Sequence, residues 1–175
     1  MWEDGWDEAQ QIVSGMNVNY SGIFSFNELI GMIDRFFKKK GYERITHEFK
    51  ETVFKTGKSV SFRIRPFKEI KGKNVRREIQ LWLNISDLTE FTKDIDGVKV
   101  KLNKGKIDAR IDAHLLFNLR GRWECRAEYI FIKTLFDKFL MKPSAKDFAG
   151  DLKKEAFEFK SELSSFLNLN KFINA

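Results

Sequence analysis

Along residues 107–117, apolar and polar positions alternate without a break. Ile107, Ala109, Ile111, Ala113, Leu115 and Phe117 fall on one side, and Asp108, Arg110, Asp112 and His114 on the other, with Asn118 continuing the polar series. Successive side chains of a strand point to opposite faces, so this stretch predicts a strand with one buried and one wet face, as antiparallel sheets allow. The same period runs through Val60, Phe62 and Ile64 against Ser61, Arg63 and Arg65, and through Ile79, Leu81, Leu83 and Ile85 against Gln80, Trp82 and Asn84. Ile45, Phe49 and Val53 begin an earlier strand that ends at the turn KTGK (55–58), and Val98, Val100 and Leu102 make a short one. Further turns are expected at KGKN (71–74), at Asp96-Gly97, a hairpin dipeptide, and at NKG (103–105).

Helical spacing replaces alternation in four places. In IFSFNELIGMIDRFFKKKGY (23–42), Phe26, Leu29, Ile30, Ile33, Phe36 and Phe37 form one apolar stripe. Ser25 with Glu28 makes a capping box, Phe24 and Leu29 a hydrophobic staple, and Gly41 a left-handed C-cap. Residues 123–140 return to helix, stopped by Pro143, and Ser144 with Asp147 opens a last helix to about 168. There Phe148, Leu152, Ala156, Phe159, Leu163 and Phe166 recur at spacings of three and four. At the N-terminus Trp2, Trp6, Val13 and Met16 lie near one face of a short amphipathic candidate over 2–16. The expected architecture is α+β: an antiparallel meander of about five strands, one face covered by helices 26–40, 123–140 and 145–168. Residues 1–17 form an appendage and 18–175 a single domain.

Composition adds modest constraints. The 175 residues suffice for one domain with its own core. Eighteen phenylalanines supply burial of about 2–3 kcal/mol each where fully enclosed. A single cysteine, Cys125, excludes an intrachain disulfide and suits a reducing, cytoplasmic setting; on an apolar helix it reads as a small core residue. No apolar run approaches the length of a membrane span, and the acidic start MWEDGWDEAQQ does not resemble a signal peptide. The net charge of +7 favours anionic partners such as nucleic acid or an acidic surface.

An up-and-down order of strands would bring three basic groups to one end of the sheet: Lys38, Lys39 and Lys40; Lys71, Lys73, Arg76 and Arg77; and Lys101, Lys104 and Lys106. Lysine-rich loops grip backbone charge without reading bases, and lysine also gathers in turns merely because turns are wet. The wet sheet face carries a second group: Arg63, Arg65, Gln80, Trp82, Asn84, Asp108, Arg110, Asp112 and His114. Asp112 and His114 stand two apart on one strand face, which would suit acid–base work, and cross-strand ion pairs account for the same residues. His47 has the apolar parity of its strand and reads as a partly buried histidine. No metal ligand set, cofactor motif or catalytic signature is recognised, so neither metal nor cofactor nor catalytic residue is expected. The primary expectation is a non-catalytic binding or assembly module with a basic end for a polyanion. Trp2 and Trp6 would dock a protein partner or a second copy.

The order NVNYSGIF (17–24), helix, meander, long last helix resembles the helix-grip class, which includes START-type lipid-binding domains. That resemblance implies a curved sheet around the last helix and, as an alternative function, a carrier of an apolar ligand between sheet and helices. The chain differs in showing one early helix rather than two, and two late helices rather than one. The stretches KVKLNKGKI (99–107) and RGRWE (120–124) are also similar to parts of uncharacterised small archaeal proteins, a likeness that implies no activity.

Overall fold

A computed structural model describes residues 8–43, 46–54, 57–70, 75–95, 98–117 and 142–172. Among the described residues six strands form one antiparallel sheet: β1 (Glu8–Phe24), β2 (Thr46–Phe54), β3 (Gly57–Ile64), β4 (Phe67–Ile70), β5 (Val75–Ile95) and β6 (Val98–Phe117). Among these residues two helices accompany it, α1 (Phe26–Lys39) and α2 (Lys142–Phe172). The order across the sheet is β1-β6-β5-β3-β2, with β4 also on β5. The α+β class and the antiparallel meander from β2 to β6 are therefore as expected, with β1 added beside the last strand. The expected helix 123–140, with Cys125, lies outside the described residues.

Four features differ from expectation. Residues 8–16 are strand rather than helix, and β1 runs unbroken past position 17, where a boundary between appendage and domain was expected. The cause is local. Val13 faces Ala113 and Met16 faces Ile111, so three steps on β1 match two on β6. A β-bulge of this kind turns a spacing of two into three and imitates a helix. Second, no turn exists at 103–105; that stretch is continuous β6. Third, β5 extends to 21 residues, and β5 and β6 stay paired from Val75–Phe117 to Ile95–Val98. Fourth, a short strand, β4, follows β3. Pro66 lies between them, and its carbonyl still accepts from Ile79 N at 3.0 Å, so β3 and β4 follow β5 as one interrupted line.

One face of the sheet carries the core. Leu81, Leu83, Ile85, Ile107, Ile111 and Leu115 are fully buried there, each worth roughly 1.5–3 kcal/mol of apolar burial. Phe36 and Phe37 of α1 meet Phe159 of α2 at ring separations of 5.0 and 4.7 Å. Helix α1 starts where Ser25 Oγ accepts from Glu28 N and where Asn103 of β6 accepts from Phe26 N at 3.0 Å. It ends in a Schellman motif. Tyr42 N bonds Phe37 O at 2.9 Å, Gly41 N bonds Lys38 O at 3.0 Å, and Gly41 takes φ 75, a conformation open to glycine.

Candidate polyanion interface on the open sheet face

The described helices leave the opposite face of the sheet to polar residues, and register aligns them in rows. Arg63, Trp82 and Arg110 are neighbours on β3, β5 and β6; Ser61, Asn84 and Asp108 form the next row; Ser86 and Lys106 follow, with Ser21 of β1. The Arg63 guanidinium sits 5.0 Å from the Trp82 ring centroid and that of Arg110 5.5 Å, so the indole has a cation on each side along the sheet. Such contacts are worth about 0.5–2 kcal/mol each. Arg110 keeps 56% of its side chain exposed and pairs with Asp112 at 3.1 Å. Ser61 Oγ donates to Asn84 at 2.8 Å.

Farther along the same face, toward the start of β5, the polar groups become buried. Glu78, Gln80 and Asp112 are nearly inaccessible. Arg65 donates to both Glu78 oxygens, at 2.8 and 3.4 Å, and Gln80 donates to Glu78 at 2.6 Å. Asp112 also accepts from the backbone N–H of Gly15, in the bulge of β1. His114 stands directly across from Glu78. Burial pulls its imidazole below the usual 6.5; the Glu78 and Asp112 carboxylates oppose that shift and the Arg65 cation adds to it. Arginine and carboxylate thus meet as saturated pairs here, which locks the strands of the sheet together. Among the described residues, no three His, Cys, Asp or Glu side chains are grouped as ligands for a metal ion.

Of the ten basic residues expected at one end of the sheet, the eight that are described separate into two stations. Lys38, Lys39 and Lys40 finish α1 near β4, where Lys68 Nζ donates to Lys40 O at 3.0 Å. Arg76 and Arg77 lie across from Glu69 and Lys68 of β4, so these groups do come together. The charges of Lys40, Arg76 and Arg77 are spent inside the fold, whereas Lys38 and Lys39 are exposed. Lys40 pairs with Glu158 of α2, and their hydrogen bond raises the lysine and lowers the carboxyl. Arg76 bonds Glu69 at 2.6 Å and lies 4.2 Å from the Phe67 ring centroid. Arg77, buried, reaches Asp151 at 2.7 Å and Glu155 at 3.7 Å. The Tyr42 hydroxyl donates to the same Glu155 at 2.5 Å; burial, and then that bond, push its phenol far above 10.

Lys101, Lys104 and Lys106 sit elsewhere. Lys106 lies opposite Ser86, ten positions along β5 from Arg76, or roughly 30 Å at the rise of a strand. The three clusters therefore do not converge, because the turn that would have returned 101–106 to the first station is absent. Lys104 and Lys106 share the exposed face with the Arg63–Trp82–Arg110 row instead, and Lys106 meets Asp87 at 3.0 Å. Trp2, Trp6, Lys71 and Lys73 lie outside the described residues, as does the side chain of His47.

Among the described residues, no helix is long and apolar enough to cross a membrane. Compared with known proteins, the chain matches no family model, and no curated protein matches it.

Proposed function

We propose that this protein is a non-catalytic, cytoplasmic binding module that holds a single-stranded nucleic acid across the open sheet face. The observation that carries this reading is half-buried Trp82 between the Arg63 and Arg110 guanidinium groups, with Arg110 exposed beside it. Flat rings and guanidinium planes stack with bases of any identity, and nearby cations follow the phosphates. Lys104 and Lys106 supply such cations, and Ser61, Asn84 and Ser86 supply neutral hydrogen-bonding groups between them. The expected anionic partner is retained, while its seat moves from the end of the sheet to the face.

A labelled oligonucleotide of roughly ten nucleotides tests this by fluorescence anisotropy over a salt series. Affinity should fall steeply with salt. Trp82→Ala should weaken it about fivefold or more, the loss expected for one stacked base. Arg63→Glu with Lys104→Glu should weaken it further and flatten the salt dependence, and Lys38→Glu with Lys39→Glu should leave it unchanged. Binding that is absent at low salt, or indifferent to Trp82 and Arg63, overturns the assignment.

The helix-grip resemblance has its own support. β1 lies beside the last strand, α1 follows β1 directly, and the long α2 packs on the sheet. An apolar carrier fits less well where those elements meet, because Phe36, Phe37 and Phe159 occupy that space at core ring spacings.

A further inference from the structure

The edge strand β2 differs from the rest of the sheet. Its one strand partner among the described residues is β3, and every described side chain from Glu48 to Phe54 is exposed. Three of these are large and apolar: Phe49 at 56% exposure, Val53 at 69% and Phe54 at 58%. Phe49 and Val53 stand on the face that elsewhere carries the core, since they are paired with Phe62 and Lys58 of β3. An uncovered edge with an apolar face is a template for another strand.

We infer that β2 pairs with β2 of a second copy, antiparallel about a two-fold axis centred on Phe49. Charge and strand overlap together select the register, since centres at Thr52 or Val53 pair at most the last five residues of β2. A two-fold axis normal to the sheet sets each residue opposite one on the same face, so the axis must pass through a residue position. Centred on Lys50 it places lysine against lysine, and centred on Glu51 it places glutamate against glutamate. Like charges directly opposite destabilise a strand pair. Centred on Phe49, the axis brings the two phenylalanines together on one face. On the other face it sets Glu48 against Lys50 of the second copy, twice.

The ladder is irregular between Thr46 and Glu48, which keeps the matched segment short. Association is therefore weak and concentration-dependent, below the extent of a standard permanent interface. Symmetry also carries the open face of each protomer to the same side of the joined sheet. The pairing does not depend on what that face binds.

Sedimentation velocity at rising concentration, up to roughly millimolar, tests the inference. The wild-type chain should shift reversibly from monomer to dimer. Lys50→Glu puts glutamate against Glu48 of the partner copy, and Glu48→Lys puts lysine against Lys50; each should weaken the dimer about tenfold or more. The double exchange, Glu48→Lys with Lys50→Glu, restores opposite charges and should restore the dimer. Both positions are exposed, so unchanged thermal unfolding serves as the folding control. A monomer at every concentration overturns the proposal and leaves this edge for a different chain. A dimer indifferent to the single variants, or not rescued by the exchange, overturns it as well.

Discussion

The β5–β6 hairpin consists of two regions that share a ladder and little else. From Val75 to Ile85, paired with Phe117 to Ile107, one face is packed against the apolar core and much of the other is also buried, including Glu78, Gln80 and Asp112. From Thr89 to Ile95, paired with Lys104 to Val98, most described side chains are at least partly exposed, and Leu102 is the buried exception. The border is a bulge: Ser86 faces Lys106 and Thr89 faces Lys104, with Asp87 at φ 55 and Gly105 opposite. The first region is held by burial and saturated ion pairs, whereas the second is held by backbone bonds and single cross-strand contacts. Equal backbone pairing therefore does not mean equal local stability.

The largest effect that would sharpen this contrast comes from one truncation in each region. Leu81→Ala, at a fully buried site, should cost about 2–5 kcal/mol in urea unfolding. Phe91→Ala, opposite Leu102 in the outer region, should cost under about 1 kcal/mol. Similar losses at the two sites would break the comparison.

The border itself is next. A Cβ at Gly105 would stand 3.0 Å from the Ser86 carbonyl oxygen and 3.4 Å from the Leu88 Cα, and backbone cannot swing aside. Gly105→Ala should therefore cost about 1–3 kcal/mol, with faster amide exchange concentrated beyond the bulge. Uniform exchange along both regions would show that the bulge divides nothing.

The smallest effect is one of pH. His114 has its folded pKa below the ordinary 6.5, so the fold prefers the neutral imidazole and binds fewer protons there than the unfolded chain. Stability should be fully present above about 6.5 and decline as pH falls through the folded value. His114→Gln should flatten that stretch of the thermal unfolding profile. A slope that persists in the variant would assign it to other groups.

Much of this was legible in the sequence where the local period was undisturbed. Parity alone put Arg63, Trp82, Asn84, Arg110, Asp112 and His114 on one face, and capping chemistry placed α1 to within a residue. Misreading occurred where a bulge or a glycine shifts the phase. The extra residue before Met16 made a strand look helical, although Met16, Val18 and Tyr20 against Asn17, Asn19 and Ser21 carry the correct alternation. Asn103-Lys104-Gly105 has the composition of a turn, yet Gly105 is there because Ser86 and Leu88 approach too closely for a side chain. That single misplacement separated the expected lysine end into two stations. The cation–aromatic row escaped notice as a unit because its members come from three strands far apart in sequence, and register alone joins them.

Pro66 has a consequence for how large any assembly can become. A proline has no amide hydrogen to give, and beside it the isolated bridge between Glu43 and Phe67, with bonds of 2.8 Å in both directions, occupies the flank of β4. Among the described residues, β2 is the long strand left open along this side of the sheet. Since a two-fold pairing consumes both copies of that strand at once, growth on this side of the sheet ends at two molecules.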